Sequence, residues 1–73
     1  MAEHEDLVAL GREIRRCRKA LSISQEELAE RAGLHRNYIG MLERGERNPR
    51  VSTVFHLARV LGVKATELVA SVG

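Results

Sequence analysis

Seventy-three residues make one small domain, whose single core supplies only a few kcal/mol, so tight helical packing or self-association has to contribute. The apolar share of 44% supports a folded core, but Tyr38 and Phe55 are its only aromatic residues, so that core is mainly aliphatic. A net charge of +2 is too small for electrostatics alone to bind tightly, and one cysteine with no membrane-length apolar run or signal segment points to a cytoplasmic chain without disulfides.

The first six residues, MAEHED, are polar and read as frayed, with Asp6 a cap for a helix from about Leu7 to Ala20. Leu7, Leu10, Ile14, Cys17 and Leu21 form its inward stripe, which assigns Cys17 to packing rather than redox chemistry. Arg12, Arg16 and Lys19 share another face, read as solvated, with phosphate contact as the alternative. Gly11 costs ~1 kcal/mol relative to alanine inside a helix. It signals either close packing or a helix that begins later.

Residues 25–44, QEELAERAGLHRNYIGMLER, carry the central pattern of helix, tight turn and helix. Leu28, Ala32, Leu34, Ile39 and Leu42 are its apolar positions. Gly33 suits a left-handed residue ending the first helix, and the small Ala29 lets the second approach; a larger residue at either place is expected to wedge the pair apart. Ser24 and Glu27 form a capping box, and Ile23 with Leu28 a hydrophobic staple. Leu34 with Ile39 and Val63 with Leu68 repeat the staple spacing, but their caps, His35 and Lys64, are poor. Those two helices are therefore expected to be held by staple and packing.

Residues 45–50, GERNPR, combine turn formers with charge and read as a loop. Val51, Val54, Leu57, Ala58 and Leu61 then predict a fourth helix ending at Gly62, and a short fifth from about Ala65 carries Leu68 and Val69. The fold class is all-α. Phe55 and Val60 fall off the main stripe and Val72 lies near the end, leaving apolar surface for a partner or merely scattered on the outside. Charge is uneven: residues 34–50 hold four basic and two acidic side chains, a local excess compatible with a phosphate backbone. His4, His35 and His56 lack metal-ligand spacing, the glycines form no phosphate-cradling loop, and no acid–base or nucleophile arrangement points to an enzyme. No metal, cofactor or small-molecule ligand is expected.

The stretch SQEELAERAGLHRNYIGMLERGERNP, with LSISQEELAERAG, YIGMLERGERNP and LARVLGV in that order, resembles the Cro and phage-repressor helix-turn-helix domain, the xenobiotic-response-element family. The resemblance covers nearly the whole chain, and its short length is similar to restriction-modification controller proteins and to small phage-type repressors. It implies a compact five-helix domain over residues 1–73, with the helix from about Arg36 to Glu43 entering the major groove of double-stranded operator DNA. Base contacts are then expected from Arg36 and Asn37, with Tyr38, His35 and Met41 beside them; Arg forks onto guanine and Asn onto adenine. Phosphate contacts are expected from Gln25, Arg44, Arg47, Asn48 and Arg50. The resemblance also implies a buried ion pair between Arg18 and Glu43. Ser22, His35, Arg50 and Lys64 depart from the family, standing where relatives commonly carry Gly, Ser or Thr.

One short helix makes few base contacts, so a symmetric homodimer on a palindromic operator is expected, with Phe55, Val69 and Val72 as interface residues. An antitoxin-like or adaptor module with the same fold is the alternative, which intact Arg36, Asn37 and Gln25 disfavour.

Overall fold

The protein, described here by a computed structural model over residues 2–73, consists of α1 (Ala2–Ala20), α2 (Gln25–Ala32), α3 (Arg36–Glu43), α4 (Val51–Leu61) and α5 (Ala65–Leu68). No strand occurs among the described residues. The first helix starts earlier than its apolar stripe suggests: residues 2–6, expected to be frayed, are helical, and Met1 lies outside the described residues. Glu3 and Glu5 place negative charge in the opening turn, where the helix dipole favours it. Asp6 is no cap; its carboxylate accepts a hydrogen bond from the Gly73 backbone N–H at 3.2 Å, joining the two ends of the chain.

Three of the four junctions reuse one tripeptide: a left-handed residue, an aliphatic residue, then a helix cap. Ser22-Ile23-Ser24, Gly33-Leu34-His35 and Gly62-Val63-Lys64 occupy them. In each, the aliphatic N–H returns to a carbonyl five residues back, and the residue before it to a carbonyl three back, closing the preceding helix. The same aliphatic residue stands just before the next cap and forms its staple, so Leu28, Ile39 and Leu68 become fully buried. One side chain thus ends one helix and starts the next, which fixes the crossing angle. Ser22 is the sole non-glycine residue with positive φ, at 57°, among those described.

The caps differ in part from expectation. Ser24 Oγ accepts from Glu27 N–H at 3.0 Å, but the Glu27 carboxylate pairs with Arg31 at 2.6 Å rather than reaching back to complete a capping box. His35 is a true cap: its Nδ1 accepts from Asn37 N–H at 3.1 Å, the imidazole lone pair doing what an Asn or Asp oxygen usually does. Lys64 makes no side-chain cap bond.

Ile14, Leu28, Ile39, Leu42, Leu57 and Leu68 form the fully buried centre, at least one from each helix. Each contributes about 1.5–3 kcal/mol by leaving water. Cys17 is buried with them. Two stripe residues are instead exposed. Leu21 is 43% exposed because α1 stops at Ala20 and the chain turns, so Ile23 fills the core in its place. Val51 is 70% exposed, being the first residue of α4, before the helix reaches the core. Gly11 marks close packing: a Cβ there would collide with the Leu42 carbonyl oxygen and lie 2.7 Å from that of Glu43, so α1 and α3 touch backbone to backbone. At Gly33 a Cβ would meet nothing within 4 Å, so the expected wedge does not arise there; the constraint is its left-handed φ of 68°. His56, which no sequence pattern singled out, ties α4 to the end of α2 through Nε2 and the Ala32 carbonyl oxygen at 2.8 Å.

Candidate nucleic-acid interface

On α3, Ile39, Gly40, Leu42 and Glu43 are buried, and Asn37, half-buried Met41 and Arg44 recur at i, i+4 and i+7 on another face, with Gly40 between them. That row borders an open recess whose other wall is the start of α2, with Gln25 and Glu26. Arg36 enters the recess from the first turn of α3. The turn geometry explains the placement: with Leu34 and His35 fixing how α3 begins, its first turn lies alongside the N-terminus of α2. Gly40, not recognised from sequence, keeps the recess open, since a Cβ there would stand 3.1 Å from Arg44 Nη1 and 3.5 Å from Gln25 Oε1.

Of the residues expected to touch DNA, the structure gathers Gln25, Arg36, Asn37, Met41 and Arg44 in this recess. Tyr38, Arg47, Asn48 and Arg50 line a second, adjacent depression toward the loop, where the Arg47 guanidinium sits 5.9 Å from the centre of the Tyr38 ring. That distance allows a cation–π contact. His35 belongs to neither group and spends its Nδ1 on the cap.

Beneath the recess, Arg18 and Glu43 form a two-pronged pair: Nε to Oε2 at 2.6 Å and Nη2 to Oε1 at 3.0 Å. Arg18 Nη1 also donates to the Ile23 carbonyl oxygen at 2.8 Å, and Gln25 Nε2 donates to Glu43 Oε1 at 3.0 Å. One network therefore links α1, the junction, α2 and α3. Gln25 keeps a second amide hydrogen and its helix-start backbone N–H for an anion.

Two carboxylates that sequence reasoning missed sit among the exposed cations. Arg36 Nη1 contacts Glu26 Oε2 at 2.9 Å, and Arg44 Nε contacts Glu46 Oε2 at the same distance. The hydrogen bond with Arg44 holds the Glu46 carboxyl below the usual carboxylate range and raises the guanidinium in turn. Glu46 stands two residues from Arg44 and could have been suspected; Glu26 and Arg36 lie ten apart on different helices, with no local signal. Exposed pairs of this kind are worth little, so a phosphate or base edge can displace the carboxylate.

Phe55, Val69 and Val72 are all exposed, at 49%, 39% and 36%. Among the described residues no helix is long and apolar enough to cross a membrane.

This fold, with α3 set across α2 after a tight turn and tied to α1 by a buried ion pair, defines a helix-turn-helix DNA-binding regulator. The chain belongs to the helix-turn-helix family HTH_3, which it matches over residues 14–68. It is similar to the control protein C.SmaI of Serratia marcescens, 44% identical over 64 residues that cover 88% of this chain and 76% of that protein. An uncharacterised HTH-type transcriptional regulator of Sinorhizobium fredii, y4dJ, is 43% identical over 60 residues, 82% of this chain and 78% of its own length. Among solved structures, the restriction-modification controller protein C.AhdI from Aeromonas hydrophila superposes with a TM-score of 0.84 at 42% identity, covering 88% of this chain and 97% of that one. The chain is thus a transcriptional regulator with controller proteins among its relatives, in a family that is not enzymatic.

Proposed function

We propose that the chain binds a palindromic operator as a symmetric dimer, each protomer laying α3 in a major groove. The observation that carries this reading is the recess wall of Asn37, Met41 and Arg44 with Arg36 at its head, on the open side of a helix whose other face is core. With its side chains an α-helix is about 10–12 Å across, which a major groove about 12 Å wide accommodates. Arg36 and Asn37 read base edges at the leading turn, with Met41 offering an apolar contact. Gln25, Arg44, Arg47, Asn48 and Arg50 hold phosphates on either side, and Tyr38 is fixed by Arg47 at the border between the two tasks. Likeness to two controller proteins favours a role beside restriction-modification genes.

A single α3 supplies a few contacts worth about 1–3 kcal/mol each, too little for a unique genomic site, so two copies read two half-sites. Two-fold symmetry sets the two α3 helices about 34 Å apart, one DNA turn, to match the two half-sites. Phe55 and Val51, one turn apart on α4, with Val69 and Val72, supply apolar surface for the interface. Sedimentation of the free protein and of its complex with a duplex selected from random sequences tests this. Two protomers per duplex are expected; only monomer at high micromolar concentration, free and on DNA alike, would overturn the dimer.

A further inference from the structure

A row of cations on α1 takes no part in the recess. Val8, Arg12, Arg15 and Lys19 recur at i, i+4, i+7 and i+11, one ridge along the helix. The three basic residues are exposed, and among the described residues no carboxylate pairs with any of them. Arg16, which shares a face with Arg12 and Lys19, differs in having a partner: Glu13 holds it at 2.9 Å.

Contacts at two points fix the direction of the ridge. Val8 lies against Gly45, where an added Cβ would meet the Val8 backbone nitrogen at 2.9 Å, and Gly45 leads into the loop that carries Arg47. Arg18, one turn beyond Arg15, reaches Glu43 and lines the recess with Gln25 and Arg36. The ridge therefore starts beside the loop that follows α3, and its last residues flank Arg18, whose side chain borders the recess. Its three charges run over seven residue steps, about 10 Å, the axial length of about three phosphates on one strand. Inside the recess Arg36 and Arg44 are each engaged by a carboxylate; on the ridge the positive charge is unopposed.

We propose that Arg12, Arg15 and Lys19 form a second phosphate-binding strip, which holds the backbone of duplex DNA beside the groove that α3 enters. This rests on the reading of α3 as the recognition helix. Charge complementarity and continuity with the recess select duplex DNA as the occupant. The strip carries no base contacts, so it adds affinity on any sequence.

The test is a triple variant, Arg12→Gln, Arg15→Gln and Lys19→Gln, titrated against selected and scrambled duplexes between about 50 and 200 mM salt. Both duplexes should bind more weakly, and the slope of log K against log salt should fall by about 2–3, while the melting temperature stays at the wild-type value. A second variant, Arg12→Lys with Arg15→Lys, keeps the charges and should keep the slope. A triple variant with wild-type affinity and slope, beside an Arg47→Ala variant whose slope falls, would overturn the strip and leave the recognition helix standing. A wild-type protein that binds no duplex at low salt would bring down both.

Discussion

Replacing Glu43 by Ala removes the carboxylate on which three helices converge. Two hydrogen bonds from Arg18 and one from Gln25 are lost, and Arg18 keeps only the Ile23 carbonyl. The Arg18 side chain is 9% exposed, so its charge is left largely buried without a counter-charge. Breaking such a pair from one side costs about 3–5 kcal/mol. Because Arg18 lines the open recess, water can reach the guanidinium, which places Glu43→Ala near the lower end of that range. Arg18→Met strands a carboxylate whose side chain is 2% exposed and should cost more, near the upper end. At about 4–8 °C per kcal/mol, a loss of about 3 kcal/mol lowers the melting temperature by roughly 12–24 °C. The double variant Arg18→Met with Glu43→Leu should recover part of the loss, since neither charge is left alone. Thermal and urea unfolding of the three variants gives the coupling. A Glu43→Ala protein that melts within error of wild type, or single losses that simply add in the double variant, would refute the reasoning.

Gly11→Ala gains up to about 1 kcal/mol of helix propensity, yet its Cβ would press on two backbone carbonyls of α3, so a net loss of about 1–3 kcal/mol is expected in urea titrations; a rise in the midpoint would contradict the contact. Ser22→Gly relieves a left-handed conformation at φ 57° that costs about 1–2 kcal/mol, partly offset by the entropy of glycine, and should raise stability by about 0.5–1 kcal/mol; a lower midpoint would count against strain there. Burial pushes the Cys17 thiol up, so the folded state holds its proton more tightly than the unfolded one. Its contribution is whole below the unfolded pKa of about 8.5 and is lost as pH rises toward the folded value. A thiol reagent at mildly alkaline pH should label the native protein only as fast as it opens; labelling as fast as a free thiol would disprove the burial.

The parts of the fold readable in the sequence are those fixed by a few neighbouring residues. The staples Ile23 with Leu28, Leu34 with Ile39 and Val63 with Leu68, and the left-handed Gly33, need only local spacing, and they set the central helix pair. Periodicity failed where a helix stopped or had only just begun: Leu21 follows the last turn of α1 and Val51 opens α4 ahead of the core, and both are exposed. Cap preference failed at His35, whose ring nitrogen serves as the acceptor although histidine is a weak choice on average. Contacts between distant positions, Glu26 with Arg36 and His56 with Ala32, left no local trace. Arg16 shares a face with Arg12 and Lys19 as its spacing implies, but its partner Glu13 sets it apart from them.

Arg36→Ala most directly tests whether the leading turn of α3 reads sequence. Arg36 and Glu26 are 65% and 71% exposed as side chains, so losing their pair should leave folding unchanged and isolate the effect on DNA. Titrated against the selected operator and a scrambled duplex, beside Arg47→Ala and over a range of salt, Arg36→Ala should lose about 1–3 kcal/mol on the operator, relax preference at a guanine and leave scrambled binding nearly unaltered. Arg47→Ala should weaken both duplexes alike and lower the salt slope by about one. If Arg36→Ala instead weakened operator and scrambled duplex equally, Arg36 would be a backbone contact, and Asn37 with Tyr38 would have to carry the specificity.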